Sequence, residues 1–440
     1  MIRKRIFSNI SWMLLERVFT TLIILASNIY VIRTLGAHQF GELAYFQALL
    51  GLLIVAADFG LRRVLLVSFG KLASGKLVSA TLLLKTIAAV ILIALCSIAW
   101  IHTGDDAFLI LLVYCVFAPV EVYAFVMQAE LRNDRLAKIR TVLALAGAGT
   151  RVWLCMSGLG LVQNLLLTYV LQSVLLFLFT WAWTRFWIQT GWQISYQNFK
   201  QVWRISKIVL SKSIYYFFSM LVIQAHYRVD QLMISGMMGS TELGIYSSAY
   251  KLVEQLIMIP AIVSAVLLPQ MALKRKNREL TLNRLSMIYG VTMLVAIAIA
   301  VPVMLMTGPL IQLAYGPEFS AASPVLFYLM LGLPFLFIAN MSGLYFSVMG
   351  QERQAFIRNV AGLFVNIALN LFMIPRYGAT GAALTTVVSY FVVAYGAELV
   401  FWTRFKEHLH IKYRAISGLL KINFYKDLMH VLLGKQSPQT

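Results

Sequence analysis

The charged side chains inside long apolar stretches are the residues of this 440-residue chain best suited to bind a ligand. Four cations among them are the candidates for ligand binding: Arg17, Arg151, Arg228 and Lys251. A charge at the depth of a bilayer costs roughly 2.5–3.5 kcal/mol even on insertion-based scales, so each must face a polar cavity or a partner. Guanidinium groups match phosphate and carboxylate oxygens, so these positions suit an acidic or phosphorylated ligand.

Acidic residues lie beside three of these cations, and they are Glu16, Asp230 and Glu254. Lys251 and Glu254 are three residues apart and can pair on one helical face. Arg228 and Asp230 are two apart, about 200° around a helix, so they cannot pair with each other. One arrangement has Asp230 bridging to a neighbouring helix while Arg228 faces a central cavity. The alternative, in which these charges form a helix-packing network, stays open.

Enzyme signatures are missing from the sequence. It contains no HExxH, no Walker loop and no Gly-x-Ser-x-Gly. Cys96, Cys115 and Cys155 each lie inside an apolar stretch, which favours neither a disulfide framework nor a thiolate metal site. We therefore predict no catalytic residue, no metal site and no resident cofactor, and leave coupling to H⁺ or Na⁺ open.

The elements that position these residues are predicted to be membrane-spanning helices. Hydrophobic residues make up 60% of the chain and charged residues 12%, whereas soluble domains carry about 25% charged residues. The apolar runs are about 20 residues long, the length that crosses a bilayer. We predict an all-α integral membrane protein with about twelve spans, at 12–34, 40–61, 77–101, 107–129, 138–158, 161–184, 213–236, 241–269, 285–306, 321–349, 355–374 and 378–402. The short apolar segment within 307–320 is predicted to be interfacial.

The basic residues predict the orientation of these spans. Most of the 37 Lys and Arg residues fall at the two ends of the chain and in every second connection, while the opposite connections contain Arg33 and Arg376. The positive-inside rule then places both termini in the cytoplasm. The formal net charge of +20 is accordingly assigned to topology and to attraction for anionic lipid, not to nucleic-acid binding.

Sequence echoes predict an internal duplication. Leu35-Gly36 and Phe40-Gly41 recur as Met238-Gly239 and Leu243-Gly244. Six spans per half is an even number, so the two halves are predicted to be parallel repeats. The predicted organisation is an N-terminal six-helix half at 1–184, a cytoplasmic linker at 185–212, a C-terminal six-helix half at 213–403 and a cytoplasmic amphipathic tail at 404–440.

Two stretches carry a family resemblance that extends over essentially the whole chain. Tyr227-Arg-Val-Asp230, continuing through Gly239, Gly244 and Lys251, resembles the seventh and eighth helices of bacterial polysaccharide-biosynthesis flippases. Asn366-Ile-Ala-Leu-Asn370 with Ile374-Pro375 is similar to their eleventh-to-twelfth helix region. These O-antigen-type flippases belong to the superfamily that includes MATE drug exporters and the lipid II flippase.

The resemblance implies a MATE-like fold and a transport function. The implied substrate is an undecaprenyl-diphosphate-linked oligosaccharide, an O-antigen or other surface polysaccharide repeat unit. It would move from the cytoplasmic to the periplasmic leaflet of the bacterial inner membrane by alternating access coupled to an ion gradient. Membrane lipids, a polysaccharide polymerase and a chain-length regulator are the implied partners.

Two other functions are considered. A MATE-type antiporter of cationic drugs requires an acidic cavity, whereas the deepest charged positions here favour cations. A membrane glycosyltransferase or polymerase requires a large periplasmic loop, and the longest predicted periplasmic connection has only about fourteen residues.

Overall fold

Every regular element that the computed structural model describes is helical. The structure describes residues 2–68, 74–130, 132–187, 199–273 and 278–419, except for the side chains of 2–18 and of a few other positions. The helices are α1 Ile2–Asp58, α2 Leu61–Ser68, α3 Ser74–Thr103, α4 Ala107–Phe117, α5 Val122–Ala129, α6 Asn133–Met156, α7 Val162–Trp187, α8 Phe199–Met238, α9 Ser240–Leu256, α10 Met258–Leu273, α11 Arg278–Leu305, α12 Thr307–Tyr315, α13 Ala322–Met349, α14 Glu352–Phe391, α15 Ala397–Val400 and α16 Trp402–Leu419.

The helices confirm an all-α membrane fold with about twelve spans. Eight helical segments of the described chain are long and apolar enough to cross a bilayer. One of them, Glu352–Val400, contains predicted spans eleven and twelve, which are separated by a break at Gly378 (φ 55°). Spans one and two together form α1, which breaks at Gly36 (φ 72°), and span eight is divided between α9 and α10.

Helix α12 accounts for the region between predicted spans nine and ten. It has nine residues, less than half the number needed to cross the hydrocarbon core. A helix of this length satisfies its backbone hydrogen bonds without spanning the membrane, as expected for an interfacial segment.

Apolar side chains project outward along the long helices. On α3, Val90 is 61% exposed, Ile98 63% and Ile101 76%. Water-soluble proteins rarely expose such contiguous apolar surface, while lipid tails solvate it without penalty. This face of α3 therefore contacts lipid.

The chain divides into two compact units, residues 1–244 and 245–440. In the first unit, α1 packs against α6 and α8, α3 against α4 and α8, and α7 against α4 and α6. Helix α8 thus packs with the preceding helices, although it contains the predicted seventh span. The division into halves at 213 remains a prediction.

The second unit is centred on α13. Helix α13 packs against α10, α11 and α14, and α16 packs against α11. Its apolar core includes Leu285, Tyr289, Met341, Phe346 and Phe405, each at most 1% exposed. The helical part of the predicted tail therefore contributes to this core.

A reciprocal glycine contact joins the start of the second span to the start of the eighth within the first unit. A Cβ atom added to Gly41 would lie 2.6 Å from the carbonyl carbon of Ser240. One added to Gly244 would lie 2.8 Å from the carbonyl carbon of Ala37. Real Cβ atoms do not approach backbone so closely, so the two backbones can touch here only because both positions are glycine. The contact uses corresponding positions of the sequence echo.

Candidate functional site

Arg151 occupies a buried polar cluster of the first unit. Its side chain extends from α6 and is 1% exposed. Its Nη1 donates to Oε1 of Gln172 on α7 at 3.4 Å, and its guanidinium carbon lies 4.2 Å from the ring centre of Tyr169 on the same helix. Tyr169 in turn donates to Oδ1 of Asn28 on α1 at 3.2 Å. Gly147, one turn before Arg151, leaves room for the Gln172 amide, since a Cβ there would lie 2.6 Å from Oε1.

No negative charge in the described chain compensates Arg151. Its Nε has no hydrogen-bond partner, and no described carboxylate lies within ion-pair distance. Removing a cation from water without a counter-ion costs several kcal/mol, and one long hydrogen bond and one ring contact offset only part of that cost. We therefore expect this cluster to bind an anion.

Arg228 and Asp230 lie near the end of α8, in the first unit. Arg228 Nη1 donates to Oε1 of Gln231 at 3.2 Å, one turn further along the helix. A Cβ at Gly51 of α1 would lie 3.3 Å from Arg228 Nε, so the absence of a side chain there gives the guanidinium its space. Asp230 is 2% exposed. The structure thus places Arg228 at the α1–α8 contact and buries Asp230.

Lys251 and Glu254 form the ion pair that their spacing predicts. Lys251 Nζ lies 2.9 Å from Oε2 of Glu254, on α9 of the second unit. Both side chains are partly exposed, at 13% and 25%. Glu16 and Arg17 belong to the N-terminal part of α1, and their side chains lie outside the described residues.

Lys85 and Glu121 form an ion pair in the first unit. Lys85 Nζ lies 2.8 Å from Glu121 Oε2 and also donates to the Ala57 carbonyl oxygen at 3.2 Å. The lysine side chain is fully buried and Glu121 is 20% exposed. Each charge therefore has a partner inside the unit, so this pair needs no external ligand.

The sequence did not reveal a larger buried ionic cluster in the second unit. Glu398 contacts Lys412 Nζ at 2.7 Å and His408 Nδ1 at 2.9 Å, both on α16. Arg358 of α14 approaches the same carboxylate at 3.7 Å. Tyr289 of α11 shares a hydrogen bond with His408 Nε2 at 2.7 Å. All five residues are at most 2% exposed.

The state of His408 follows from its surroundings. Burial lowers the pKa of His408 to about 3, so the imidazole is neutral near pH 7. A neutral ring donates through one nitrogen and accepts through the other, which matches a donated bond to Glu398 and an accepted bond from Tyr289. Burial likewise lowers the pKa of Lys412, to about 7. Lys412 Nζ also donates to the Ala394 carbonyl in the π-helical turn Val392–Gly396.

A signal for this cluster existed in the sequence. His408 and Lys412 are four residues apart and therefore share one face of a helix. The sequence does not show what this face contacts, whereas the structure places Glu398 against it. Groups of three or more His, Cys, Asp or Glu that could hold a metal ion do not occur among the described residues.

A family model described as "Polysaccharide biosynthesis protein" matches residues 6–274. The chain belongs to this family. Over 375 residues it is 26% identical to the probable low-salt glycan biosynthesis flippase Agl15 of Haloferax volcanii, covering 82% of this chain and 76% of that protein. It is also 25% identical over 127 residues to an uncharacterized membrane protein, MJ1068, of Methanocaldococcus jannaschii, covering 27% of this chain and 25% of that protein.

Solved structures show the same fold. The lipid II flippase MurJ in an inward closed conformation superposes with a TM-score of 0.71 at 17% identity, covering 96% of both chains. An inward-facing MATE-family multidrug transporter gives a TM-score of 0.64 at 17% identity, covering 90% of this chain and 96% of that one. The protein is therefore a multi-pass membrane protein of the polysaccharide-biosynthesis family with a MATE-like fold.

Proposed function

We propose that this protein is a flippase for an undecaprenyl-diphosphate-linked oligosaccharide. It moves the repeat unit of an O-antigen or another surface polysaccharide from the cytoplasmic to the periplasmic leaflet of a bacterial inner membrane. Transport proceeds by alternating access coupled to an H⁺ or Na⁺ gradient. Both chain termini lie in the cytoplasm in this proposal.

The uncompensated guanidinium of Arg151 supports an anionic substrate most directly. A diphosphate offers several oxygens to the free Nε and to the weakly bonded Nη1, and charge-assisted bonds of this type are about twice as strong as neutral ones. Arg228 offers a second guanidinium in the same unit, on the face of α8 that meets α1. We assign both residues to the diphosphate. Lys251, already paired with Glu254, is assigned a supporting role.

The experiment is complementation of a deletion strain. Arg151→Gln is expected to lower surface polysaccharide at least tenfold while the protein reaches the membrane in normal amount. Lipid-linked oligosaccharide should accumulate in that strain. Arg135→Gln, which removes an exposed charge from the same helix, serves as the control and should behave as wild type. Normal surface polysaccharide with Arg151→Gln would contradict the assignment.

The MATE fold makes a drug antiporter the alternative to test. Such a protein needs an accessible carboxylate for a cation, and the three buried carboxylates of the described chain are Asp58, Asp230 and Glu398. Glu398 is already occupied by Lys412 and His408. Hypersensitivity of the deletion strain to cationic drugs, with normal surface polysaccharide, would favour the antiporter.

A further inference from the structure

Helix α8 is twice as long as a membrane span requires. Its 40 residues extend about 60 Å at 1.5 Å per residue, against about 30 Å of hydrocarbon. The apolar run that crosses the bilayer starts near residue 213. The preceding segment, 199–212, therefore projects beyond the hydrocarbon core, and we call it the α8 extension.

One face of the α8 extension is fixed against the first unit. Val202, Ser206 and Val209 follow the spacing of a single helical face and are at most 4% exposed. Ser206 lies 3.5 Å from the Ala80 carbonyl oxygen of α3, and Lys76 Nζ donates to Gln201 at 2.5 Å. The opposite face of the α8 extension is therefore exposed.

The outer face of the α8 extension is basic and has no acidic residue. Lys200, Arg204, Lys207 and Lys212 are all exposed. No Asp or Glu occurs anywhere between 199 and 212. Four positive charges within fourteen residues, with no carboxylate in the same segment, favour a densely anionic complementary surface.

Apolar and aromatic side chains are interleaved with these cations. Phe199 is 62% exposed, Trp203 44% and Ile208 47%. Phe199 and Trp203 stack on each other, with ring centres 6.3 Å apart, and Lys207 Nζ lies 5.8 Å from the Trp203 ring. Exposed aromatic rings beside cations are typical of helices at the bilayer interface, where the rings enter the headgroup layer. An acidic protein or a soluble anion would not account for these rings.

The second unit carries a comparable surface on α16. Arg404, Lys406 and Arg414 are exposed there. Trp402 and Tyr413 are 51% and 68% exposed. The acidic residue of this helix, Glu407, is neutralised by Arg278 at 2.8 Å. The same combination of cations and rings therefore occurs in both units on a helix whose opposite face is buried.

We propose that the outer face of the α8 extension binds the headgroups of anionic phospholipids. The phosphates pair with Arg204, Lys207 and their basic neighbours, while Phe199 and Trp203 enter the acyl–headgroup boundary. The outer face of α16 is the matching contact of the second unit. These contacts attach each unit to a negatively charged leaflet, independently of the transported substrate.

The test measures phosphatidylglycerol retained by the full-length protein in detergent, by native mass spectrometry and by titration. Wild type should retain phosphatidylglycerol in preference to phosphatidylcholine, and the preference should weaken with salt. Each cation near an anionic surface contributes about 1 kcal/mol, so Arg204→Gln/Lys207→Gln should weaken binding by roughly ten- to thirtyfold. Arg33→Gln/Arg376→Gln removes two other exposed charges and should bind as wild type.

Three results would overturn the proposal. The first is unchanged phosphatidylglycerol binding in the Arg204/Lys207 variant that keeps the wild-type unfolding temperature. The second is competition by millimolar inorganic phosphate as effective as that by the lipid, which would identify a free-anion site. The third is equal binding of phosphatidylglycerol and phosphatidylcholine, which would indicate that this face binds an acidic protein and not lipid headgroups. If the Arg204/Lys207 variant unfolds at a lower temperature, Trp203→Ala is tested in its place. This substitution should weaken phosphatidylglycerol binding without changing the charge of the protein.

Discussion

Two buried cations of this protein, Arg151 and Lys412, differ in how their charge is balanced. Lys412 contacts both oxygens of Glu398, whereas Arg151 contacts an amide and a phenol ring. An ion pair inside the protein is a structural element, because removing either partner leaves the other uncompensated. A buried cation without a counter-ion is instead expected at a binding site for an anion. The contact pattern thus assigns Lys412 a structural role and supports the anion-binding role proposed for Arg151.

Lys412→Met tests the structural role. Loss of the ammonium leaves Glu398 with one weaker cation, Arg358, and a neutral imidazole. We expect a destabilisation of about 3 kcal/mol, the lower end of the range for a broken buried pair. Thermal unfolding of the purified protein measures it. The double variant Glu398→Gln/Lys412→Met should be less destabilised than Lys412→Met alone, and an equal or larger loss would contradict a paired role.

His408 predicts an acid-sensitive stability. The folded-state pKa, about 3, is below the ordinary 6.5, so the unfolded chain binds a proton between these values that the folded chain does not. Stability from this residue is therefore lost as the pH falls from 6.5 towards 3, by at most about 1.4 kcal/mol per pH unit. Unfolding temperatures at pH 7.5, 6 and 5 should fall less steeply for His408→Gln than for wild type. Parallel pH profiles would rule out this contribution.

At this scale the sequence predicts contacts within a helix better than contacts between helices. The Lys251–Glu254 pair follows from a three-residue spacing alone. The neighbours of Arg151 and Glu398 depend on which helices are adjacent and how they are rotated. A search for charges inside apolar segments also passes over Asn28, Tyr169 and Gln172, which are neutral and yet form the polar surroundings of Arg151.

Hydropathy was sufficient to locate most of the elements, because a helix crossing a bilayer must be about 20 residues long and apolar. The exceptions are local. The chain breaks with non-helical torsions at Gly36, between the predicted spans one and two, and at Gly378, between the predicted spans eleven and twelve, and at both places it continues as a helix without an intervening loop. Hydropathy does not show whether a chain bends or ends between two apolar runs, since that depends on one or two backbone torsions.

The reciprocal glycine contact gives a prediction about two elements at once. Gly244→Ala places a methyl group against the Ala37 backbone, and Gly41→Ala places one against Ser240. Because backbone cannot move aside as a flexible side chain can, the helices must separate, at a cost of about 1–3 kcal/mol or more. We expect either substitution to reduce surface polysaccharide in the complementation assay. Gly236→Ala, which meets no atom within 4 Å, is the matched control, and equal effects at Gly236 and Gly244 would argue against a steric cause.

Across the whole molecule, the repetition extends beyond the spans. In the first unit the α8 extension packs on α3, the predicted third span. In the second unit α16 packs on α11, the predicted ninth span. Each follows the sixth span of its predicted half. A helix that packs on the third span is therefore common to the two predicted halves, a similarity that the short sequence echoes alone did not indicate.

The predicted orientation can be tested by thiol labelling. Arg33→Cys and Arg376→Cys should react with a membrane-impermeant reagent added outside intact cells, because the basic-residue distribution places both outside. Arg204→Cys and Arg404→Cys should react only after the membrane is opened. Native Cys96 and Cys115 are buried, which limits background from them. Labelling of position 204 from outside would reverse the orientation.

The packing of α16 over Glu398 has a consequence for quality control in the cell. Span twelve ends beside Glu398, but the two residues that contact this carboxylate most closely, His408 and Lys412, are synthesised ten and fourteen residues later. A nascent chain that has inserted all its spans thus lacks the closest partners of this buried carboxylate and has only the more distant Arg358, at 3.7 Å, among the cations described beside it. Premature stops shortly after residue 403 should therefore expose the protein to membrane proteases, whereas a reporter fused beyond residue 419 should be tolerated. Packing of α16 against the spans therefore completes the charge balance of the second unit.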